Sequence, residues 1–289
     1  MWKKLNAEQA ILINMVTIDG KKLAQKILDE LKEEIAKKGK RLRLAVILVG
    51  KNPVIEKFVE QKKKTGASID IDVRLFQFKE SITTNELRKR ISRIVHEKKN
   101  TGVIIQLPLP SNINSQYILN SIPPEKDVDM LSAKSIGNFA TGKTQILPPV
   151  TGSVKAIFDE YKIDYRDKNI VIIGAGKLVG RPVALWLINE NATLSVLKSN
   201  TPDISEFTKR ADIIISGVGK PKLITSNMIK EGAVIIDAGT SESEGKISGD
   251  VDFDSVSQKA SFITPVPGGI GPMTVATLFK NLITLSKNE

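Results

Sequence analysis

Short, wholly apolar runs alternate along this chain with longer stretches in which apolar residues recur every three to four positions. From Ile18 the helical spacing runs to about Lys38 and stops at Gly39, a glycine C-cap. The run LAVILV at 44–49 has no polar position, as expected of a strand covered on both faces. Helical spacing returns over 54–67, strand character over 73–78, helix over 83–96 and strand over 103–106. This β-α-β-α-β order predicts a parallel sheet with right-handed crossovers.

Residues 111–150 are broken by prolines and glycines and read as a connection between domains. A helix over about 152–161 then leads into a second alternating series. Its strands are expected at 170–173, 193–197, 212–215, 233–237 and near 261–263, and a long helix runs from 273 to about 286. The predicted fold class is therefore α/β with two domains. An N-terminal parallel-sheet domain covers 1–147 and a Rossmann-type domain covers 148–271, with the active-site cleft between them. The last helix, 272–289, is expected to pack back on the first domain. Residues 1–14 carry no pattern; they are either an extension or precede a natural start at Met15.

Composition narrows the chemistry. The 289 residues suffice for two cores, and 41% hydrophobic with 26% charged residues is the balance of a globular protein. No apolar run approaches the ~20 residues of a membrane span and nothing resembles a cleaved signal peptide, so a cytoplasmic protein without a membrane partner is expected. Zero cysteines exclude disulfides and thiolate chemistry, and the single histidine, His96, leaves no cluster for a metal. The net charge of +11 would attract polyanions. Its lysines lie along amphipathic helices without interleaved aromatics, however, so anionic small molecules fit better than nucleic acid.

The clearest local motif is NIVIIGAGKLVGRP, 169–182: a buried strand, a glycine turn and a helix start. Gly174, Ala175, Gly176, Lys177, Val179, Gly180, Arg181 and Pro182 form a candidate dinucleotide cradle, with glycines admitting a pyrophosphate and the helix start facing its charge. The spacing G-x-G-x-x-x-G departs from the usual fingerprint, so alone it also fits an ordinary strand-to-helix turn. The end of the next strand offers Lys198, Ser199, Asn200 and Thr201 and no acid. This favours NADP over NAD, because basic and hydroxyl groups accept the extra phosphate. Gly217, Val218 and Gly219 follow the next strand, and Asp237 and Gly239 the one after; all five are candidate cofactor contacts. Arg181 reads equally well as a surface helix residue.

Several stretches together resemble one family, the bifunctional methylenetetrahydrofolate dehydrogenase/cyclohydrolases. They are LAVILVGKNP, FVEQKKK, VIIQLPLP, PPEKDVD, IVIIGAGKLVGRP, SGVGKP, IKEGAVIIDAG, GDVDF and ITPVPGGIGPMT, in the family's order from about Ile18 onward. The resemblance implies oxidation of 5,10-methylenetetrahydrofolate with NADP, followed by hydrolysis of the methenyl product to 10-formyltetrahydrofolate. It also implies a homodimer formed through the cofactor domain.

Carried over residue by residue, the family's catalytic lysine in Y-V-x-x-K corresponds to Lys62 of FVEQK. By itself that segment reads as a solvated basic helix face, but a lysine whose charge shifts with its environment suits proton relay. Phe58, one helical turn earlier, stands where the family has tyrosine, and Ile55 where it usually has serine. A ring survives for stacking while two hydroxyls are lost, so the hydrolysis step is expected to be weakened more than hydride transfer. Gln106 at a strand's carboxyl end is expected to hold substrate and Lys62, or else is a satisfied strand-end amide, and Leu107 and Pro108 follow it. Asp129 of KDVD matches the carboxylate that grips the pterin, whereas Asp127 reads as structural. Met130 replaces the family's glycine, so a different local backbone is expected. Thr151 in PPVTGS is a candidate cleft contact. Pro267, Gly268, Gly269, Gly271, Pro272 and Thr274 form a loop expected to close over both ligands. Three alternatives are a dehydrogenase without the hydrolysis step, a dehydrogenase of another small acid, and a non-catalytic nucleic-acid-binding protein.

Overall fold

The structure, a computed structural model, describes residues 15–39, 41–243 and 246–288. The patternless residues 1–14 lie outside the described residues. The described chain opens with β1 (Val16–Thr17) and α1 (Gly20–Lys38). Asp19 caps α1 by accepting from the Lys22 amide, and Gly39 ends it at φ 63, the left-handed turn that glycine adopts without a Cβ clash. Then come β2 (Arg43–Val49), α2 (Pro53–Ser68), β3 (Asp72–Phe78), α3 (Thr84–His96) and β4 (Gly102–Ile105). Their strands form a parallel sheet of order β3-β2-β4. The strands expected from apolar runs sit within about a residue of their predicted places.

The connection contains two helices that its broken pattern did not reveal, α4 (Ser115–Leu119) and α5 (Ala133–Ala140). Each has a side-chain N-cap, Asn114 accepting from the Tyr117 amide and Ser132 from the Ser135 amide. Next is α6 (Pro149–Glu160), which begins earlier than predicted because Pro149 supplies a pre-set helical φ at its first position.

The second sheet is built from β5 (Ile170–Ile173), β6 (Leu194–Leu197), β7 (Ile213–Ser216) and β8 (Val234–Asp237), with α7 (Gly180–Asn189) and the short α8 (Ser205–Thr208) between them. A hairpin of β9 (Ser241–Ser243) and β10 (Lys246–Ser248), the short α9 (Phe253–Val256), β11 (Phe262–Ile263) and the final α10 (Ile270–Leu285) follow. The six-stranded sheet has the order β1-β11-β8-β7-β5-β6 and all its pairings are parallel. Its outermost member β1 comes from the start of the described chain, too short a segment for any periodicity to reveal.

Alternate residues of each apolar run face different cores. Leu44 and Val46 of β2 join Ile170 and Ile172 of β5 in one large core, which also holds the buried faces of α1, α6 and α10. Ala45, Ile47 and Val49 face a second core with α3 and α4, and Val171 and Ile173 a third beneath the other sheet. The two sheets thus share a central helical layer. Buried Asn281 of α10 pins that layer to the connection, its Nδ2 donating to the carbonyls of Val128 (2.9 Å) and Leu147 (2.8 Å). No helix among the described residues is long and apolar enough to cross a membrane.

Candidate active site

The carboxyl ends of β4, β5, β7 and β8 open into one cleft of about 810 Å³ between the sheets, where open α/β folds place ligands. One face of α2 contributes Phe58, Gln61 and Lys62, and the β4 end contributes Gln106 and Leu107. Asp129 comes from the connection, Gly176–Val179 from the glycine turn, and Gly217–Gly219 and Asp237–Thr240 from the β7 and β8 ends. Residues 265–272 and Thr274 complete the cleft.

Lys62 and Phe58 meet here because they stand four residues apart on one helix; Ile55, on the same stripe, and Val59 beside it are buried at 8% and 2% exposure. The Lys62 ammonium donates to Gln106 Oε1 at 3.1 Å. Gln106 Nε2 donates to the Leu107 carbonyl at 3.3 Å, which turns the amide oxygen toward the lysine. Burial lowers the Lys62 pKa from its ordinary value, and the nearby Asp129 carboxylate opposes that shift in part. Asp129 itself is pushed up to about 6, first by burial and then by Asp127, with Lys62 pulling the other way. Lysine and carboxylate therefore face one another with their charged forms both disfavoured, the condition under which protons move near neutral pH. Phe58, 38% exposed, presents a ring to the cleft.

Asp127 plays the structural part read from sequence. It is 2% exposed, and its oxygens accept from the amides of Leu131 (3.3 Å) and Ser132 (2.9 Å). Met130, which stands where the family has glycine, has a φ of 56, the left-handed conformation a glycine favours. That conformation costs about 1–2 kcal/mol for a residue with a Cβ. The Met130 side chain is 2% exposed in the central core, and such burial contributes about 2–3 kcal/mol, enough to offset the cost.

On the cofactor side, a Cβ on Gly180 would lie 1.8 Å from the Gly174 carbonyl oxygen, so this glycine lets α7 start directly under the strand end. A Cβ on Gly176 would meet nothing within 4 Å, leaving the turn's outer face open to a ligand. The helix start offers fewer amide donors than the motif suggested: the Arg181 N–H donates to the Gly176 carbonyl at 3.1 Å, and Pro182 has none. Lys177 lines the cleft and spans it, donating to Gln116 Oε1 of α4 at 3.2 Å. Lys198, Ser199 and Asn200 are exposed and Thr201 half-buried at the β6 end, where no acid competes with a phosphate.

Of the residues anticipated from sequence, Gly174, Ala175, Gly180, Arg181, Pro182, Lys198–Thr201, Pro108 and Thr151 lie outside the cleft lining, and the others line it. The Asp237 carboxylate points inward, 2% exposed, and accepts from the Gly239 amide. Thr151 is fully buried; its neighbours Pro149 and Val150 face the cleft instead, because the helix begins three residues earlier than expected. Sequence reasoning missed Lys21, Gln61 and Ile247. Lys21 reaches the cleft because β1 anchors the start of α1 beside the 265–272 loop, where a Cβ on Gly268 would lie 3.6 Å from Lys21 Cε. Among the described residues, no group of three His, Asp or Glu is arranged to hold a metal.

Comparison with known proteins fits this geometry. The family model for the tetrahydrofolate dehydrogenase/cyclohydrolase catalytic domain matches residues 18–129, and that for the family's NAD(P)-binding domain matches residues 148–289. The bifunctional protein FolD of Sulfurihydrogenibium sp. is 44% identical over 281 residues, 95% of this chain and 99% of the relative. The crystal structure of the bifunctional FolD methylenetetrahydrofolate dehydrogenase/cyclohydrolase from Campylobacter jejuni has a TM-score of 0.92 at 43% identity, covering 95% of this chain and 99% of that one. The Trypanosoma brucei dehydrogenase-cyclohydrolase, solved with NADP and an inhibitor, has a TM-score of 0.90 at 34% identity, covering 95% and 98%.

Proposed function

This chain belongs to the tetrahydrofolate dehydrogenase/cyclohydrolase family, and we propose that its single cleft carries both reactions through Lys62, Gln106 and Asp129. The protein oxidises 5,10-methylenetetrahydrofolate with NADP and hydrolyses the methenyl product to 10-formyltetrahydrofolate. NADP, when bound, accepts the hydride from the methylene carbon. The open turn at Gly176 and the acid-free Lys198–Thr201 fit its pyrophosphate and extra phosphate.

In this reading Asp129 accepts hydrogen bonds from the pterin and fixes its orientation, and the Phe58 ring stacks on the flat part of the substrate. Gln106 holds the Lys62 nitrogen toward the reacting carbon. In the second step Lys62 takes one proton from water as its oxygen adds to the methenyl carbon and passes that proton on to solvent; the C–N bond then breaks as the remaining hydroxyl proton moves to the leaving nitrogen, so that C–OH becomes the formyl C=O. The observation that carries the assignment is the 3.1 Å contact from Lys62 to Gln106 within a cleft that also contains the glycine turn. Methylenetetrahydrofolate oxidation with NADP and NAD side by side, followed by methenyl decay, tests it. Faster reduction of NADP and accelerated decay are expected; an uncatalysed rate in either step removes that half of the assignment.

The same reading keeps the domain division at 147/148. The packing of α10 against α1 supports its return to the first domain, while the pairing of β1 with β11 ties the chain's start to the second. A homodimer through the cofactor domain is supported by Ile188 at 56% and Val196 at 38% exposure, on α7 and on the edge strand β6. Light scattering should give twice the chain mass, falling to one chain in an Ile188→Glu/Val196→Glu variant. A cytoplasmic location goes with two anionic ligands that do not cross membranes unaided. The +11 charge serves to capture them, so apparent affinity should fall as salt rises; steep salt-dependent binding to nucleic acid would count against this use of the charge.

A further inference from the structure

Two wholly buried carboxylates lie beneath the loops that leave β7 and β8. Asp250 Oδ2 accepts from the Ser216 hydroxyl (2.7 Å) and the Val218 amide (2.8 Å), and its Oδ1 accepts from the Lys220 amide (2.8 Å). Asp237 Oδ1 accepts from the amides of Gly239 (2.9 Å) and Asp250 (3.1 Å), and its Oδ2 from that of Val251 (2.9 Å). One acid thus grips the loop after β7; the other grips the loop after β8 together with the strand of chain that carries the first acid. Both grips depend on missing side chains. A Cβ on Gly239 would fall 2.2 Å from the Asp250 carboxyl carbon, and one on Gly249 would fall 2.0 Å from Asp237 Oδ2.

Burying two adjacent carboxylates is costly, and apolar residues of similar volume would stabilise the fold more. What the carboxylates supply is direction: five amides and one hydroxyl converge on them and fix the path of both loops. Those loops, Gly217–Gly219 and Ala238–Thr240, are cleft walls. The order β8-β7-β5-β6 puts them on the Lys62 side of the glycine turn, whereas Lys198–Thr201 lie beyond it at the β6 end. A dinucleotide laid across that edge has its phosphate-bearing adenosine over β6 and its reactive ring against the wall that Asp250 holds.

We propose that Asp250 is a positioning residue for hydride transfer: it fixes the Val218–Lys220 backbone, and with Asp237 the Ala238–Thr240 backbone, as the wall that seats the nicotinamide end of NADP. The proposal rests on the NADP-dependent reading above. In Asp250→Asn the side chain keeps its shape, but an NH2 group faces a loop N–H. Affinity for NADP and the hydride-transfer kcat/KM are expected to fall about 10-fold or more. Binding of adenosine 2′,5′-bisphosphate, which lacks the nicotinamide half, should stay within about twofold, as should methenyl hydrolysis without NADP. An equal fall in all of these marks a merely structural residue and overturns the proposal, as does unchanged hydride transfer. If Asp250→Asn does not fold, Ser216→Ala, which removes one donor and no amide, decides the matter. A loss of about two- to fivefold confined to hydride transfer supports the proposal, and none overturns it. A wild-type protein that binds NADP but turns over neither substrate overturns the catalytic reading alone. The contrast between NADP and the bisphosphate then still decides the part played by Asp250.

Discussion

Asp129 and Asp237 have carboxyls pushed up to about the same value, about 6, and for both the largest cause is burial. Their surroundings differ in kind. Asp237, at 2% exposure, has its oxygens taken by three backbone amides. Asp129 lines the open cleft, and the charge that answers it is the lysine ammonium of Lys62. A raised carboxyl pKa therefore does not by itself mark a catalytic residue. What separates the two is whether the backbone has consumed the lone pairs or left them toward the cleft.

Changing Lys62 tests the cleft side of this contrast most severely. Lys62→Met should reduce methenyl hydrolysis by about 10²–10⁴-fold, the usual worth of a positioned proton relay, and hydride transfer by less. A stopped assay of each step separates them; equal losses would mean that Lys62 holds substrate rather than moving protons. Asp129→Asn comes next, raising KM for the folate about 10- to 100-fold through loss of charge-assisted hydrogen bonds, with NADP affinity unchanged.

Stability against pH probes both acids in one experiment. Each folded pKa, about 6, lies above the ordinary 3.8. Each therefore adds stability that is complete below about pH 3.8 and is lost as pH rises through 6. Replacing Asp129 by Asn should stabilise the protein by about 1–2 kcal/mol at pH 8 and by nothing below pH 4, since the group faces solvent on one side. Asp237→Asn should instead destabilise it by about 1–3 kcal/mol at pH 8, because its amide group meets N–H donors. Denaturant melts at several pH values measure both, and shifts of the same sign would erase the distinction drawn between the two acids.

Met130 sharpens the description of the seat that carries Asp129. Met130→Gly relieves the left-handed strain but empties a core site, and the cavity dominates, with a net loss of about 1–3 kcal/mol by the same melts. A gain would mean that strain governs this turn. The smallest effect is expected at Phe58: Phe58→Tyr should raise methenyl hydrolysis about two- to fivefold relative to hydride transfer by restoring a hydroxyl near Lys62. No change in either rate would leave the ring as its only contribution.

Much of this was legible along the chain because the signals are local. Apolar runs such as LAVILV and IVII predict buried parallel strands, since only a strand covered on both faces lacks polar positions. The caps Asn114 and Ser132 went unread, because they sit in a segment whose proline breaks mask two short helices. The family motifs pointed to Lys62, Gln106 and Asp129, though not to their relation. Lys21 and Val150 left no trace in their own neighbourhoods, because β1 pairing and an early helix start bring them to the cleft.

The sequence alone determined the two alternating α/β series, the dinucleotide turn and the chemistry available, because periodicity, glycine spacing and residue type are properties of neighbours in the chain. Tertiary structure decided that Met130 takes a left-handed conformation, that Thr151 is buried, and that of two acids with the same raised pKa one answers a lysine while the other's oxygens are taken by loop amides. Those outcomes depend on which distant groups fill the space around a side chain: a core that accepts a methionine, amides that converge on a carboxylate, and a strand end that stops beside a lysine.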